Sequence, residues 1–138
     1  AALERQLALF RRKAGQYRKA AILYRSLLRQ NPDDRNLLAS LVYCLDRMGE
    51  TEAARKLMQS ANKTFKPDAD SLLIEGRLCL RAKKIQDALS LFRIVVDRFP
   101  KDPRGWEEVA RIYDVQGVPE MAATYREKAR DIQSRKKK

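Results

Sequence analysis

Apolar side chains recur at helical spacing along most of the chain. Between residues 35 and 67, Leu37, Leu38, Leu41, Val42, Leu45 and Met48 mark one stripe, and Gly49 interrupts it. Ala53, Ala54, Leu57, Met58 and Ala61 mark a second, which stops before Pro67. Steps of three and four put such residues on one helix face, and Gly or Pro just beyond the last of them ends the helix. Applied throughout, the pattern predicts helices over 2–14, 17–30, 35–48, 51–65, 69–82, 85–99, 103–116 and 119–135.

These elements repeat. In four rows of 34 residues, 1–34, 35–68, 69–102 and 103–136, no insertion is needed to hold register. Column 20 reads Ala20, Ala54, Ala88, Ala122; column 34 reads Asp34, Asp68, Asp102; column 15 reads Gly15, Gly49, Lys83, Gly117. A recurrent Ala marks a helix crossing too close for a larger side chain. An Asp before each new helix can cap its amide hydrogens and face its positive end. Pro103 and Pro119 fall at helix starts, where a missing amide hydrogen costs nothing.

The helix–turn–helix rows resemble the tetratricopeptide repeat. Trp106, Ala110, Tyr113, Gly117, Ala122 and Ala129 carry the resemblance in the fourth row, and Leu7, Ala8, Gly15, Tyr17, Ala20, Tyr24 and Pro32 in the first. The second row has Met58 at the aromatic place and its Pro displaced. The third has Gly76, Ala88, Phe92 and Pro100 but lacks the turn Gly and carries Glu75 at an apolar place. The resemblance implies an all-α, right-handed α-α superhelix, a solenoid of four helix pairs in one domain spanning 1–138. It also implies that first helices line a concave groove.

The residues assigned to that groove are Arg5, Leu9, Arg12, Lys13, Ala39, Tyr43, Arg47, Leu73, Arg77, Arg81 and Arg111. Leu9, Tyr43, Leu73 and Leu80 form an apolar strip with Ala39 leaving room beside Tyr43, suited to an amphipathic helix or extended peptide. The competing reading makes Leu73 and Leu80 core. Lys13, Arg47 and Arg81 form a basic ladder able to pair with peptide carboxylates. It equally suits the last turn of each first helix, where a cation meets the negative helix end. Family members that clamp a chaperone's C-terminal carboxylate use Lys and Asn in the groove. Here Leu9, Ser40, Ile74 and Asp70 depart from that set, and only Arg5 fits.

Composition narrows the chemistry. Thirty basic against eighteen acidic residues give a net charge of +12. The four rows carry +5, +2, +2 and, with the basic tail 134–138 included, +3, so the excess is spread rather than blocked. Anionic partners are favoured. No His is present, which removes imidazole bases and imidazole metal ligands. Two Cys, Cys44 and Cys79, make neither a disulfide framework nor a zinc site; buried thiols in a reducing, cytoplasmic compartment are expected. Five Gly and five Pro do not suit a loop-rich sandwich or a flexible linker. No phosphate-binding Gly loop appears, Glu107 and Glu108 point to different sides of a helix, and Ser40 and Ser71 lack a base. No enzyme activity, cofactor or metal is expected.

No apolar run approaches the ~20 residues of a membrane span. The chain opens Ala1-Ala2 without Met, which suits a processed or cut protein and leaves open an upstream targeting segment. The expected function is a protein-interaction scaffold whose groove holds a partner peptide or helix; the resemblance points to bacterial assembly or secretion systems and their chaperones. Two alternatives stand beside it: RNA or anionic-surface binding through the basic excess, and a structural spacer in a longer repeat protein. Ends of the array left without a capping helix could form a homodimer.

Overall fold

A computed structural model describes residues 1–136, and Lys137 and Lys138 of the expected basic tail lie outside it. It contains α1 (Ala2–Lys13), α2 (Tyr17–Gln30), α3 (Arg35–Arg47), α4 (Thr51–Thr64), α5 (Ala69–Arg81), α6 (Ile85–Arg98), α7 (Pro103–Val115) and α8 (Pro119–Lys136). All described secondary structure is helical, in four consecutive pairs. The chain divides into two compact units, residues 1–67 and 68 onward, each holding two pairs.

The punctuation works as the repeat predicts. Asp34 accepts from the amides of Asn36 and Leu37, Asp68 from Ser71 and Asp102 from Arg104. Pro103 opens α7 and Pro119 opens α8. The first helices end one residue earlier than their periodicity suggests. Ala14, Met48, Ala82 and Gln116 are caps, because the residue after each turns left-handed. Gly15, Gly49 and Gly117 do so at φ 76–83°, and Lys83 is forced to φ 62° in the same place. A side chain there brings Cβ against the backbone, a cost of roughly 1–2 kcal/mol.

In unit 1, α1 packs on α2, α2 on α3 and α3 on α4. Ala20 and Ala54 are wholly enclosed, and Tyr24, Leu27, Leu41, Leu45 and Met58 fill the core around them. The apolar run from Ala20 to Leu28 gives α2 two apolar faces. One of those faces stays in water, because Ile22 is 63% exposed at a position that Lys56, Ser90 and Thr124 also leave exposed in the later rows. In unit 2, Leu72, Leu73, Ala88, Phe92, Val95, Val109, Ile112 and Ala122 form one cluster. Gly76 lets α5 meet Phe92: a Cβ there would lie 2.4 Å from Phe92 Cε1. Cys44 and Cys79 are buried thiols, as expected. Burial pushes the Cys44 thiol up, with Arg12 opposing.

Candidate functional site

The residues assigned to the inner face separate by unit. In unit 1, α1 and α3 bring most of them together. The Arg12 guanidinium stands over the Tyr43 ring, 5.7 Å from its centroid, and its Nη1 donates to Ser40 Oγ at 3.3 Å. Tyr43 meets Tyr17 edge-on, with centroids 6.0 Å apart and planes at 70°. The Arg47 guanidinium then stands over Tyr17 at 5.7 Å. The result is a row of cation, ring, ring, cation: Arg12, Tyr43, Tyr17, Arg47. Each cation–ring contact contributes about 0.5–1 kcal/mol at an exposed site. A hydrogen bond and charge interaction with Tyr17, joined by Tyr43, push Arg47 above the ordinary arginine value.

Tyr43 remains 46% exposed and Leu9 is also exposed, so accessible apolar surface lies on these first helices. Ala39 is half-buried on the turn before Tyr43. Arg5 points instead to the α3 cap, donating to Asp34 Oδ2 at 3.1 Å. Partial burial opposes ionisation of Asp34, but the Leu37 amide and Arg5 outweigh it and hold the carboxyl low. Lys13 stands exposed in the last turn of α1. Tyr17 and Ser40 were not among the expected site residues. Tyr17 opens α2, a second helix of its pair, whereas the expected groove residues all lie on first helices. Its column-17 position in the repeat was the available signal.

Unit 2 corrects the expected strip. Leu73 is 1% exposed and belongs to the core with Phe92 and Val109, so it lines no groove. The reason is that α5 is buried over most of its circumference, through Ser71, Leu72, Glu75, Gly76, Leu78 and Cys79 as well. Leu80 packs half-buried against the same cluster. Arg77 and Arg111 converge on a carboxylate the sequence reading did not include: Glu108, 3% exposed, takes Arg111 Nη1 at 2.6 Å and Arg77 Nε at 3.6 Å. The i, i+3 spacing of Glu108 and Arg111 was legible as a helix-face pair. Glu107 points elsewhere, to Gln133 Nε2 at 2.7 Å, as the sequence reading required of this pair. Arg81 stands exposed in the last turn of α5. Arg104 ties Asp102 to Asp70, at 2.7 and 2.6 Å. Its hydrogen bonds hold Asp102 below the usual carboxylate range despite burial, and Asp102 in turn holds Arg104 charged.

Among the described residues no group of three or more Asp, Glu, His or Cys could hold a metal ion, and no helix is long and apolar enough to cross a membrane.

The repeat, its turns and its caps define a class. Tetratricopeptide-repeat models match residues 11–78 and 73–134, and the chain belongs to the tetratricopeptide-repeat family. As such it is a protein-interaction scaffold with protein partners, built on a fold that generally serves as a non-catalytic interaction module. No curated protein sequence matches it. Among solved structures it is similar to MamA (residues 41 to the end) from Desulfovibrio magneticus RS-1, at 21% identity and TM-score 0.78, covering 95% of this chain and 74% of that one. It is also similar to MamA from MSR-1, at 17% identity and TM-score 0.76, covering 94% and 75%. The C-terminal part of a repeat protein from Cytophaga hutchinsonii gives 16% identity and TM-score 0.71, covering 90% and 49%. At these identities the likeness shows the fold alone.

Proposed function

We propose that the scaffold binds an acidic peptide or an amphipathic helix with acidic flanks on the inner face of unit 1. The observation that carries the reading is the Arg12–Tyr43–Tyr17–Arg47 row. Two guanidiniums are held in fixed places by the rings they cover, so little of their flexibility remains to be lost on binding. Each keeps donors for a carboxylate, and Tyr43 with Leu9 offers apolar contact beside them. Arg77 and Arg111 play a smaller part, since Glu108 already occupies them.

The test is a pull-down with the whole chain at two salt concentrations, comparing Tyr43→Ala and Arg12→Glu/Arg47→Glu with the parent. Captured proteins are identified by mass spectrometry. A protein captured by the parent, lost in both variants and weakened by salt supports the reading. Capture of nucleic acid alone, lost at high salt and indifferent to Tyr43→Ala, would replace it with the nucleic-acid alternative.

A further inference from the structure

Unit 1 contains a second concavity, on the opposite side of α3 from Tyr43. A cleft of about 530 Å³ opens between α2, α3 and α4, floored by Leu38, Leu41, Leu45 and Leu57 and rimmed by Arg25 and Arg29. Leu38, Leu41 and Leu45 lie on one side of α3, and at 3.6 residues per turn Tyr43 points nearly the other way. The volume falls within the range of about 300–1,000 Å³ that ligand sites occupy.

The repeat shows what belongs in such a space, because unit 2 carries the same helices 68 residues further on. There Leu38, Leu45 and Leu57 are replaced by Trp106, Tyr113 and Tyr125. Those rings pack together: Tyr125 lies 5.6 Å from both Trp106 and Tyr113. Polar tips are tied down as well. Trp106 Nε1 donates to the Pro100 carbonyl at 3.0 Å, and Arg93, the counterpart of Arg25, donates to the Tyr113 hydroxyl at 2.5 Å. A hollow of about 420 Å³ in unit 2 is lined by Trp106 and Tyr125, with Glu127, Lys128 and Asp131 in its walls. Unit 1 thus has the same frame without the rings. Arg25 and Arg29 are exposed at its rim, and among the described residues neither forms an ion pair.

We infer that this cleft is a binding site for a polypeptide segment that presents an aromatic side chain next to a carboxylate. The partner's ring takes the place that Tyr125 fills between Trp106 and Tyr113. Its carboxylate meets Arg25 and Arg29, where unit 2 needs none. An aromatic side chain brings about 150–250 Å² of buried surface to such a place. The rim selects acidic neighbours over neutral ones, by roughly three- to tenfold for exposed guanidinium contacts. This site is independent of the inner-face reading.

The probes are three capped tripeptides, Glu-Trp-Glu, Gln-Trp-Gln and Glu-Ala-Glu, titrated into the 15N-labelled whole chain to about 5 mM, where a single-anchor site still registers. Glu-Trp-Glu is expected to give saturable shifts at Leu38, Leu57 and Phe65. Gln-Trp-Gln binds more weakly by the stated factor, and Glu-Ala-Glu does not bind. Leu38→Trp/Leu57→Tyr introduces two of the three unit 2 rings; it should melt at or above the parent temperature and lose the shifts. Should that variant not fold, Arg25→Glu/Arg29→Glu supplies the second reading and is expected to remove the preference for acidic flanks. No saturable shift in the cleft, shifts confined to Tyr17 and Tyr43, or equal shifts in the filled variant would each overturn the inference. So would sedimentation showing that the cleft instead joins two copies of the chain, a dimer lost on filling.

Discussion

Gly76→Ala probes how closely the repeat's helices approach. The new Cβ would sit 2.4 Å from Phe92 Cε1, 2.7 Å from Cζ and 3.0 Å from Cδ1. Carbon atoms rest at about 3.5–4.0 Å, so the ring or the α5 backbone must retreat by more than 1 Å. Phe92 has no exposed surface and is held by Leu72, Val95 and Val109. Overpacking of this kind costs about 1–3 kcal/mol, and the displacement needed puts this case near the upper end. Replacing a mid-helix Gly returns about 1 kcal/mol of helix propensity. The net is a loss of about 1–2 kcal/mol, or a fall in melting temperature of roughly 4–16 °C for a unit of this size. Trp106, the single Trp of the chain, lies in unit 2 and reports its unfolding by fluorescence. Phe92→Leu relieves the clash, so Gly76→Ala should cost less in that background, a coupling of about 1 kcal/mol in a double-mutant cycle. A Gly76→Ala protein as stable as the parent, or an additive cycle, would refute the reasoning.

Three further predictions follow from named positions. Lys83→Gly relieves the left-handed strain at φ 62° and should raise stability by about 0.5–1 kcal/mol after the greater freedom of Gly in the unfolded chain is counted; urea denaturation with Lys83→Ala as the control checks it. Ala54→Leu places a larger side chain at a fully enclosed helix crossing and should cost about 1–3 kcal/mol by thermal circular dichroism, whereas Ala53→Leu on the exposed side should be within about 0.5 kcal/mol of neutral. The third concerns acid. Asp102 is held below its unfolded value of about 3.9, so it binds a proton more readily when unfolded. Its contribution is present above that pH and lost as pH falls through the lower folded value. Asp102→Asn should therefore narrow the stability gap between pH 7 and pH 3, measured by urea midpoints. An unchanged gap would count against the Arg104 pairing.

Part of the side-chain arrangement in unit 1 was legible, and the differences in unit 2 are informative. Arg12 and Tyr43 meet because residues nine and twelve of a first helix share one side, a matter of helical angle. Leu73 was assigned to the same side and is core, because α5 is enclosed over most of its surface and α1 is not. Position in the repeat gives direction; how far neighbours close over that direction depends on their sizes. Arg77 and Arg111 were placed on the correct helices, yet their donors go to Glu108. The i, i+3 spacing allowed the Arg111 pair, but the contact from Arg77 depends on rotamers and the distance between helices, which no spacing rule contains.

By itself the sequence determined the helix pairs, their turns, their Asp caps and the enclosed Ala column. Each of these is a local consequence of periodicity, backbone freedom and the unpaired amides at a helix start. Only the tertiary structure decided which turn would strain a lysine, which arginines would be spent on a buried carboxylate, and where a frame filled by rings in one unit stands open in the other. Those outcomes turn on the volume left between helices, and volume is a property of several side chains meeting in space.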